Sequence, residues 1–221
     1  MPRSKPEPAA SELLEQLPVS DLLRELAQLG ELRRYAKGAL LIQEGDLGDT
    51  LYLVFKGRLR AFSINLSNGR EITYGNYDPG EYVGEMSLDG GPRSASVMAL
   101  APTVCAVISK RTLEQFIAVH PAFAFELLAK VIRRARTATL TARQMALNDV
   151  YGRLKLLLES LTVLQADGTR LISERLTHQE MANRVGCTRE MVSRVMKELE
   201  VGGYVVVRGV VQLLRALPAR W

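Results

Sequence analysis

The 221-residue chain contains only two cysteines and two histidines. Cys105 and Cys187 lie far apart and form no CxxC spacing. That argues against a disulfide framework, a zinc site or an iron–sulfur cluster. His120 stands before Pro121 at a helix start and His178 in the first turn of another helix, neither with a catalytic or metal-binding partner close in sequence. No metal, haem or cluster is therefore expected. The chain also lacks a P-loop GxxxxGK[ST] and a nucleophile elbow, so no enzyme activity is expected. No apolar run reaches 18 residues, and the opening stretch MPRSKPEPAASELLEQ has no apolar centre of the signal-peptide kind. A cytoplasmic protein with no membrane partner is the expectation.

What the chain does have is an uneven charge. Residues 1–120 carry 13 basic and 15 acidic side chains, residues 121–147 carry 5 and 1, and residues 148–221 carry 11 and 8. The overall charge of +5 is thus concentrated in the C-terminal half, where a DNA-binding module would need it.

The stretch LTHQEMANRVGCTREMVSRVMKELE, residues 176–200, accounts for that need. Thr177 and Glu180 form a capping box, and Met181, Ala182 and Val185 give one short helix an inward stripe. Gly186 allows a tight turn, since it reaches positive φ without a Cβ clash. Thr188 is a candidate N-cap for a second helix whose buried face is Val192, Val195, Met196 and Leu199. The polar face keeps Arg189, Glu190, Ser193, Arg194 and Lys197. Arginine can donate two hydrogen bonds to guanine O6 and N7, and a carboxylate can accept from cytosine N4. The N-terminal residues of the second helix meet base edges in a helix-turn-helix. The candidate DNA contacts are therefore Thr177, Gln179, Thr188, Arg189, Glu190, Ser193, Arg194 and Lys197. Tyr204–Val207 and Val210–Leu214, flanking Arg208-Gly209, predict the hairpin of a wing.

VGCTREMVSRVMKELE resembles the recognition segment of the cyclic-AMP receptor protein / fumarate-nitrate regulator family of bacterial transcription factors. In the cyclic-AMP receptor branch the Arg-Glu-x-x-x-Arg pattern reads a TGTGA-type half-site, and Arg189, Glu190 and Arg194 match it.

The N-terminal part follows a helical stretch predicted over Ser11–Gln28. Short β-type runs at Leu40–Ile42, Leu51–Phe55, Leu59–Ile64, Glu71–Tyr74, Tyr82-Val83, Ser94–Ala99 and Val104–Ile108 alternate with glycine turns. That pattern predicts a small β-barrel or sandwich. The run Gly84-Glu85-Met86-Ser87-Leu88-Asp89-Gly90-Gly91-Pro92-Arg93-Ser94-Ala95 resembles the phosphate-binding cassette of the family's cyclic-nucleotide-binding domain. The resemblance implies that Arg93 holds the cyclic phosphate, Ser94 adds a donor, Glu85 accepts from the ribose 2′-hydroxyl and Gly84 permits close backbone approach. A guanidinium suits a phosphodiester through paired hydrogen bonds. Loss of Arg93 is expected to abolish the effector response and leave the fold intact.

Pro121 begins a helix expected to reach Asn148. Ala124, Leu128, Val131, Ala135, Ala138, Ala142 and Met145 predict a seam for a parallel homodimer. The resemblance places adenine contacts at Ala138 and Thr139; Thr139 can supply a hydroxyl and Ala138 cannot. The cofactor-binding set is thus Gly84, Glu85, Met86, Arg93, Ser94, Ala138 and Thr139, with cyclic AMP as allosteric effector. A constitutive regulator, or one answering cyclic di-GMP or a redox or gas signal, is the alternative.

The expected fold is α+β. A cyclic-nucleotide-binding jelly-roll β-barrel (1–120) precedes a dimerisation helix and hinge (121–148) and a winged helix-turn-helix (149–221). The expected partners are palindromic TGTGA-like double-stranded DNA, a second copy of the chain and RNA polymerase.

Overall fold

The computed structural model describes residues 14, 15 and 17–220. Two compact units emerge: described residues up to Ser63 together with Tyr74–Ala135, and Ile64–Thr73 together with the chain from Arg136 onward.

In the first unit, α1 (Asp21–Gln28) is started by Ser20, whose hydroxyl accepts from the Leu23 amide at 3.2 Å. The predicted Ser11–Gln28 helix is broken ahead of Ser20: Pro18 has no amide hydrogen to donate and removes helical freedom from its predecessor. The Ser11–Leu13 part of that expectation lies outside the described residues.

Eight strands follow: β1 (Glu31–Tyr35), β2 (Leu40–Ile42), β3 (Thr50–Lys56), β4 (Leu59–Asn65), β5 (Arg70–Tyr77), β6 (Tyr82–Val83), β7 (Ser96–Ala99) and β8 (Thr103–Ser109). They form two four-stranded sheets, ordered β1-β8-β3-β6 and β2-β7-β4-β5. The jelly-roll is thus open: two sheets pack face to face, and no ladder closes them into a barrel among the described residues. The inter-sheet core holds Ile42, Tyr52, Val54, Leu59, Ala61, Val97, Ala99 and Cys105. The alternate residues Leu51, Leu53, Phe55, Ala106 and Ile108 face a second core with Leu23, Leu26, Leu113, Phe116 and Phe123. Both faces of β3 and β8 are therefore covered, which is why TLYLVFK and TVCAVIS read as unbroken apolar runs rather than alternating ones. Helix α2 (Lys110–Val119) supplies Leu113 and Phe116.

Helix α3 (Ala122–Leu147) is the long helix expected from Pro121 onward. Of the residues on the predicted stripe, Leu128, Ala135, Ala138 and Ala142 are exposed. The large apolar side chains the helix leaves exposed are Phe125, Leu128, Ile132, Leu140 and Leu147, while Ala124, Val131 and Met145 are half-buried. Spacings of three and four fit several stripes on one helix, and alanines, which populate most of them, do not distinguish one from another.

The second unit contains α4 (Val150–Ser160), β9 (Val163–Leu164), β10 (Arg170–Ile172), α5 (His178–Val185), α6 (Arg189–Val201), β11 (Val205–Val207) and β12 (Val211–Leu213). The capping box is fully formed. The Thr177 hydroxyl accepts from the Glu180 amide at 3.2 Å, and the Glu180 carboxylate accepts from the Thr177 amide at 2.7 Å. Gly186 takes φ 68°, and a Cβ there would sit 3.2 Å from the Met145 methyl. The predicted stripes Met181, Ala182, Val185 and Val192, Val195, Met196, Leu199 are all buried in one core with Leu154, Leu158 and Ile172. The wing pairs Val205 with Leu213 and Val207 with Val211 in a sheet ordered β11-β12-β10-β9. Among the described residues no helix is long and apolar enough to cross a membrane.

Thr177→Ala should lower unfolding free energy by about 1 kcal/mol. Thr177→Ser, which keeps the oxygen, should lose only a few tenths. A thermal melt in which both variants match the wild type would remove the capping box from the account of this helix.

Candidate effector pocket and DNA-reading face

The chain that leaves β6 turns at Gly84, which has φ 97°. A Cβ there would collide with the Thr50 carbonyl and lie 2.9 Å from Arg93 Nη1, so glycine is required twice over, by backbone and by space. Glu85–Ser87 then form a single 3-10 turn. Arg93 is 7% exposed. Its Nη1 donates to the Thr50 carbonyl (3.0 Å), the Gly84 carbonyl (3.0 Å) and the Ser87 hydroxyl (2.7 Å), and its Nη2 donates to the Thr50 hydroxyl at 2.9 Å. The Arg93 backbone donates to Asp46 O at 2.8 Å, and its carbonyl accepts from Gly45 N at 2.9 Å. The guanidinium is thus a strut of the loop as well as a charge. Removal of Arg93 would therefore cost the loop these hydrogen bonds as well as a charge. Its Nε and outer Nη2 edge borders Gly48, where a Cβ would lie 2.9–3.0 Å away. The absent side chain leaves that edge accessible to an anion.

Glu85 is buried, its side chain 2% exposed, and its Oε1 pairs with Arg134 of α3. Arg134 also donates to the Tyr82 carbonyl and lies over the rings of Tyr77 (4.8 Å) and Tyr82 (5.5 Å). Glu85 Oε2 is buried and has no hydrogen-bond donor among the described residues. A buried acceptor without a donor fits a ligand hydroxyl, and the open guanidinium edge of Arg93 fits an anion. The Tyr82 hydroxyl is likewise buried, and burial pushes its pKa up to about 12, so it stays protonated at neutral pH. Of the expected cofactor-binding residues, Gly84, Glu85 and Arg93 come together here. Met86 and Ser94 are exposed at the loop surface, and Ala138 and Thr139 are exposed on the part of α3 that belongs to the second unit.

In the second unit, Thr188 caps α6 by accepting from the Met191 amide at 3.3 Å. Arg189, Glu190, Arg194 and Lys197 are exposed. Their positions, opposite the buried stripe, put them on one face with the half-buried Ser193. The Ser193 hydroxyl is hydrogen-bonded to His178 Nδ1 at 2.9 Å, tying the two helices together. The Thr177 hydroxyl is occupied by the capping box. Exposed Gln179 donates through Nε2 to the Asn183 side-chain Oδ1 at 2.7 Å. Arg184 makes a two-point ion pair with Glu174 (2.7 and 3.0 Å), which fixes the approach to α5.

Residues 32–120 match the cyclic nucleotide-binding domain family, and residues 175–203 match the crp family of bacterial regulatory proteins. The cAMP-activated global transcriptional regulator CRP of Escherichia coli O6:H1 is 32% identical over 176 residues, covering 76% of this chain and 82% of that protein. The chain belongs to the CRP/FNR family. The cyclic AMP receptor protein of Thermus thermophilus is 36% identical over 179 residues, 78% of each chain. Among solved structures, the c-di-GMP responsive global regulator CLP of Xanthomonas campestris superposes with a TM-score of 0.76 at 26% identity, covering 87% of this chain and 97% of that one.

As a CRP/FNR regulator the chain is a transcription regulator and not an enzyme, with a cyclic-nucleotide-binding domain, a long helix and a DNA-binding winged helix-turn-helix. Sequence reasoning missed Arg134, Ser87, Thr50 and Gly48 in the effector domain. Ser87 lies inside the cassette and could have been included as a hydroxyl six residues before Arg93. Arg134 carries no local mark, because its partner is distant in sequence.

Proposed function

We propose that this regulator binds a cyclic nucleotide, cyclic AMP, at the cassette and then binds a TGTGA-like palindrome as a homodimer to recruit RNA polymerase in the cytoplasm. The observation that carries the reading is the pair of buried side chains, Glu85 and Arg93, on the loop that turns at Gly84. The unsatisfied Glu85 Oε2 is the acceptor a ribose 2′-hydroxyl needs, and the Arg93 edge beside Gly48 is the donor a cyclic phosphate needs. Met86 and Ser94 flank the phosphate. Residues 1–120 serve as the sensor, 121–148 as dimerisation helix and hinge, and 149–221 as the DNA reader. The exposed Phe125, Leu128, Ile132, Leu140 and Leu147 give a second copy an apolar surface along α3. In the dimer the two recognition helices address major grooves about 34 Å apart. The effector acts by binding the DNA-competent state more tightly than the other. On the DNA face, Arg189 and Arg194 read guanines, Glu190 reads a cytosine, and Thr177, Gln179, Thr188, Ser193 and Lys197 fix the register.

A second reading is favoured by Ala138, which cannot offer the hydroxyl expected at its position, and by the likeness to a c-di-GMP responsive regulator. In it the same switch answers cyclic di-GMP. A labelled TGTGA-N6-TCACA duplex, titrated at fixed salt with no ligand, cyclic AMP or cyclic di-GMP, separates the two. Binding raised at least about tenfold by cyclic AMP alone is the expected result. Release or capture by cyclic di-GMP alone favours the second reading, and tight binding indifferent to both ligands overturns effector control.

Arg189→Ala should weaken binding to this duplex by about 1–3 kcal/mol and relax discrimination at one base pair. Equal weakening on every substituted duplex would reassign Arg189 to a phosphate.

A further inference from the structure

Residues 64–73 belong to the same compact unit as the DNA-reading helices, and one of them reaches a helix that carries a proposed DNA contact. Glu71 Oε2 accepts from Asn183 Nδ2 at 2.9 Å, and Asn183 Oδ1 accepts from Gln179 Nε2 at 2.7 Å. Asn183 is only 5% exposed, so its two polar atoms have to be satisfied by protein. Beside it, a Cβ on the turn glycine Gly186 would lie 3.7 Å from Ile72 Cδ1. The three polar side chains therefore form a relay from the start of β5, through the buried face of α5, to the solvent side of that helix.

The relay has a fixed direction. A carboxylate only accepts, so Asn183 must turn its NH2 group to Glu71 and its carbonyl oxygen to Gln179. Gln179 must then donate through Nε2, which leaves its Oε1 and its second Nε2–H directed outward. With glutamine at position 71 the constraint is lost, because an amide can either donate or accept, and both downstream amides become free to flip. A relay of neutral amides alone would hold Gln179 in two orientations of similar energy.

We infer that Glu71 is a positioning residue for DNA binding: through Asn183 it fixes the orientation in which Gln179 meets DNA. The inference rests on the DNA-reading face proposed above. Gln179 lies in the first turn of the first helix of the motif, the helix that crosses the DNA backbone, where a rigid side chain sets register.

The test is a double-mutant cycle between Glu71→Gln and Gln179→Ala. Affinity is measured for the full-length chain on the labelled TGTGA-N6-TCACA duplex at fixed salt and saturating cyclic AMP. Glu71→Gln is nearly isosteric, and a thermal melt establishes that each variant is folded at the assay temperature. With Gln179 present, Glu71→Gln should weaken binding at least about threefold. In the Gln179→Ala background it should leave binding unchanged or slightly tighter, since the substitution removes a negative charge. Asn183→Ala, which cuts the relay between its ends, should reproduce the loss seen with Glu71→Gln.

An electrostatic or purely structural role for Glu71 would give the same fold-change in both backgrounds, and that result overturns the inference alone. Failure of the wild-type chain to bind the duplex overturns the operator assignment and this inference with it.

Discussion

Replacing Arg134 by methionine should destabilise the effector domain by roughly 3–5 kcal/mol, because the change strands a buried carboxylate. Glu85 has almost no contact with solvent, and one of its oxygens already lacks a donor among the described residues. Arg134 is its cationic partner, held in place by the Tyr82 carbonyl and by two aromatic rings. Methionine keeps much of the volume and the ring contacts while removing the charge, so the loss reports the ion pair rather than a cavity. The double variant Arg134→Met, Glu85→Gln should recover most of the stability, since a neutral amide buried there carries a far smaller desolvation penalty. Urea unfolding followed by the fluorescence of the tyrosine-rich effector domain measures both. If Arg134→Met unfolds at the wild-type midpoint, the pair is not formed in solution and the pocket is arranged differently.

The second large effect is at Arg93. Arg93→Met should abolish the cyclic-nucleotide response and also lower stability by about 2–4 kcal/mol, because the Thr50 and Gly84 carbonyls and the Ser87 hydroxyl lose a charged donor together. Arg93→Lys keeps the charge but cannot reproduce a planar fork serving acceptors on two sides. It should therefore recover part of the stability and little of the response. Calorimetric titration with cyclic AMP, alongside a denaturation curve, resolves the two contributions. Full ligand binding by a folded Arg93→Met protein would remove this residue from the site.

The two halves of the chain were not equally legible in sequence. The DNA-reading segment encodes itself locally. Thr177 and Glu180 are three residues apart, Gly186 ends one helix and Thr188 begins the next, and the buried stripes recur every three or four residues. Every partner needed to recognise the motif lies within one turn or two. The effector domain is built from partners distant in sequence. Arg93 meets Thr50 across 43 residues, and Glu85 meets an arginine on α3 that stands beside Arg133 and near Arg136. Nothing in a run of arginines marks which one will enter a pocket. Strand β1, with the sequence ELRRY and an almost wholly exposed burial pattern, offers no alternation to read; its place is decided by pairing with β8. Helix α3 shows the limit of periodicity itself, since helix spacing predicts that an apolar stripe exists without selecting which stripe is left uncovered.

The strand order of the two sheets bears on how the chain is made. In one sheet β8 lies between β1 and β3, and in the other β7 lies between β2 and β4. Each sheet is thus completed by a strand that leaves the ribosome after both of its neighbours. Until Thr103–Ser109 has emerged, β1 and β3 have no common partner, and both cores that β3 faces lack the residues β8 contributes. Contacts of such high sequence separation slow folding and extend the time during which unpaired edges can meet another chain. Nascent chains ending near residue 100 should therefore be the form of this protein most dependent on chaperones, whereas the winged helix-turn-helix, whose helix contacts are mostly local, can close soon after its residues appear.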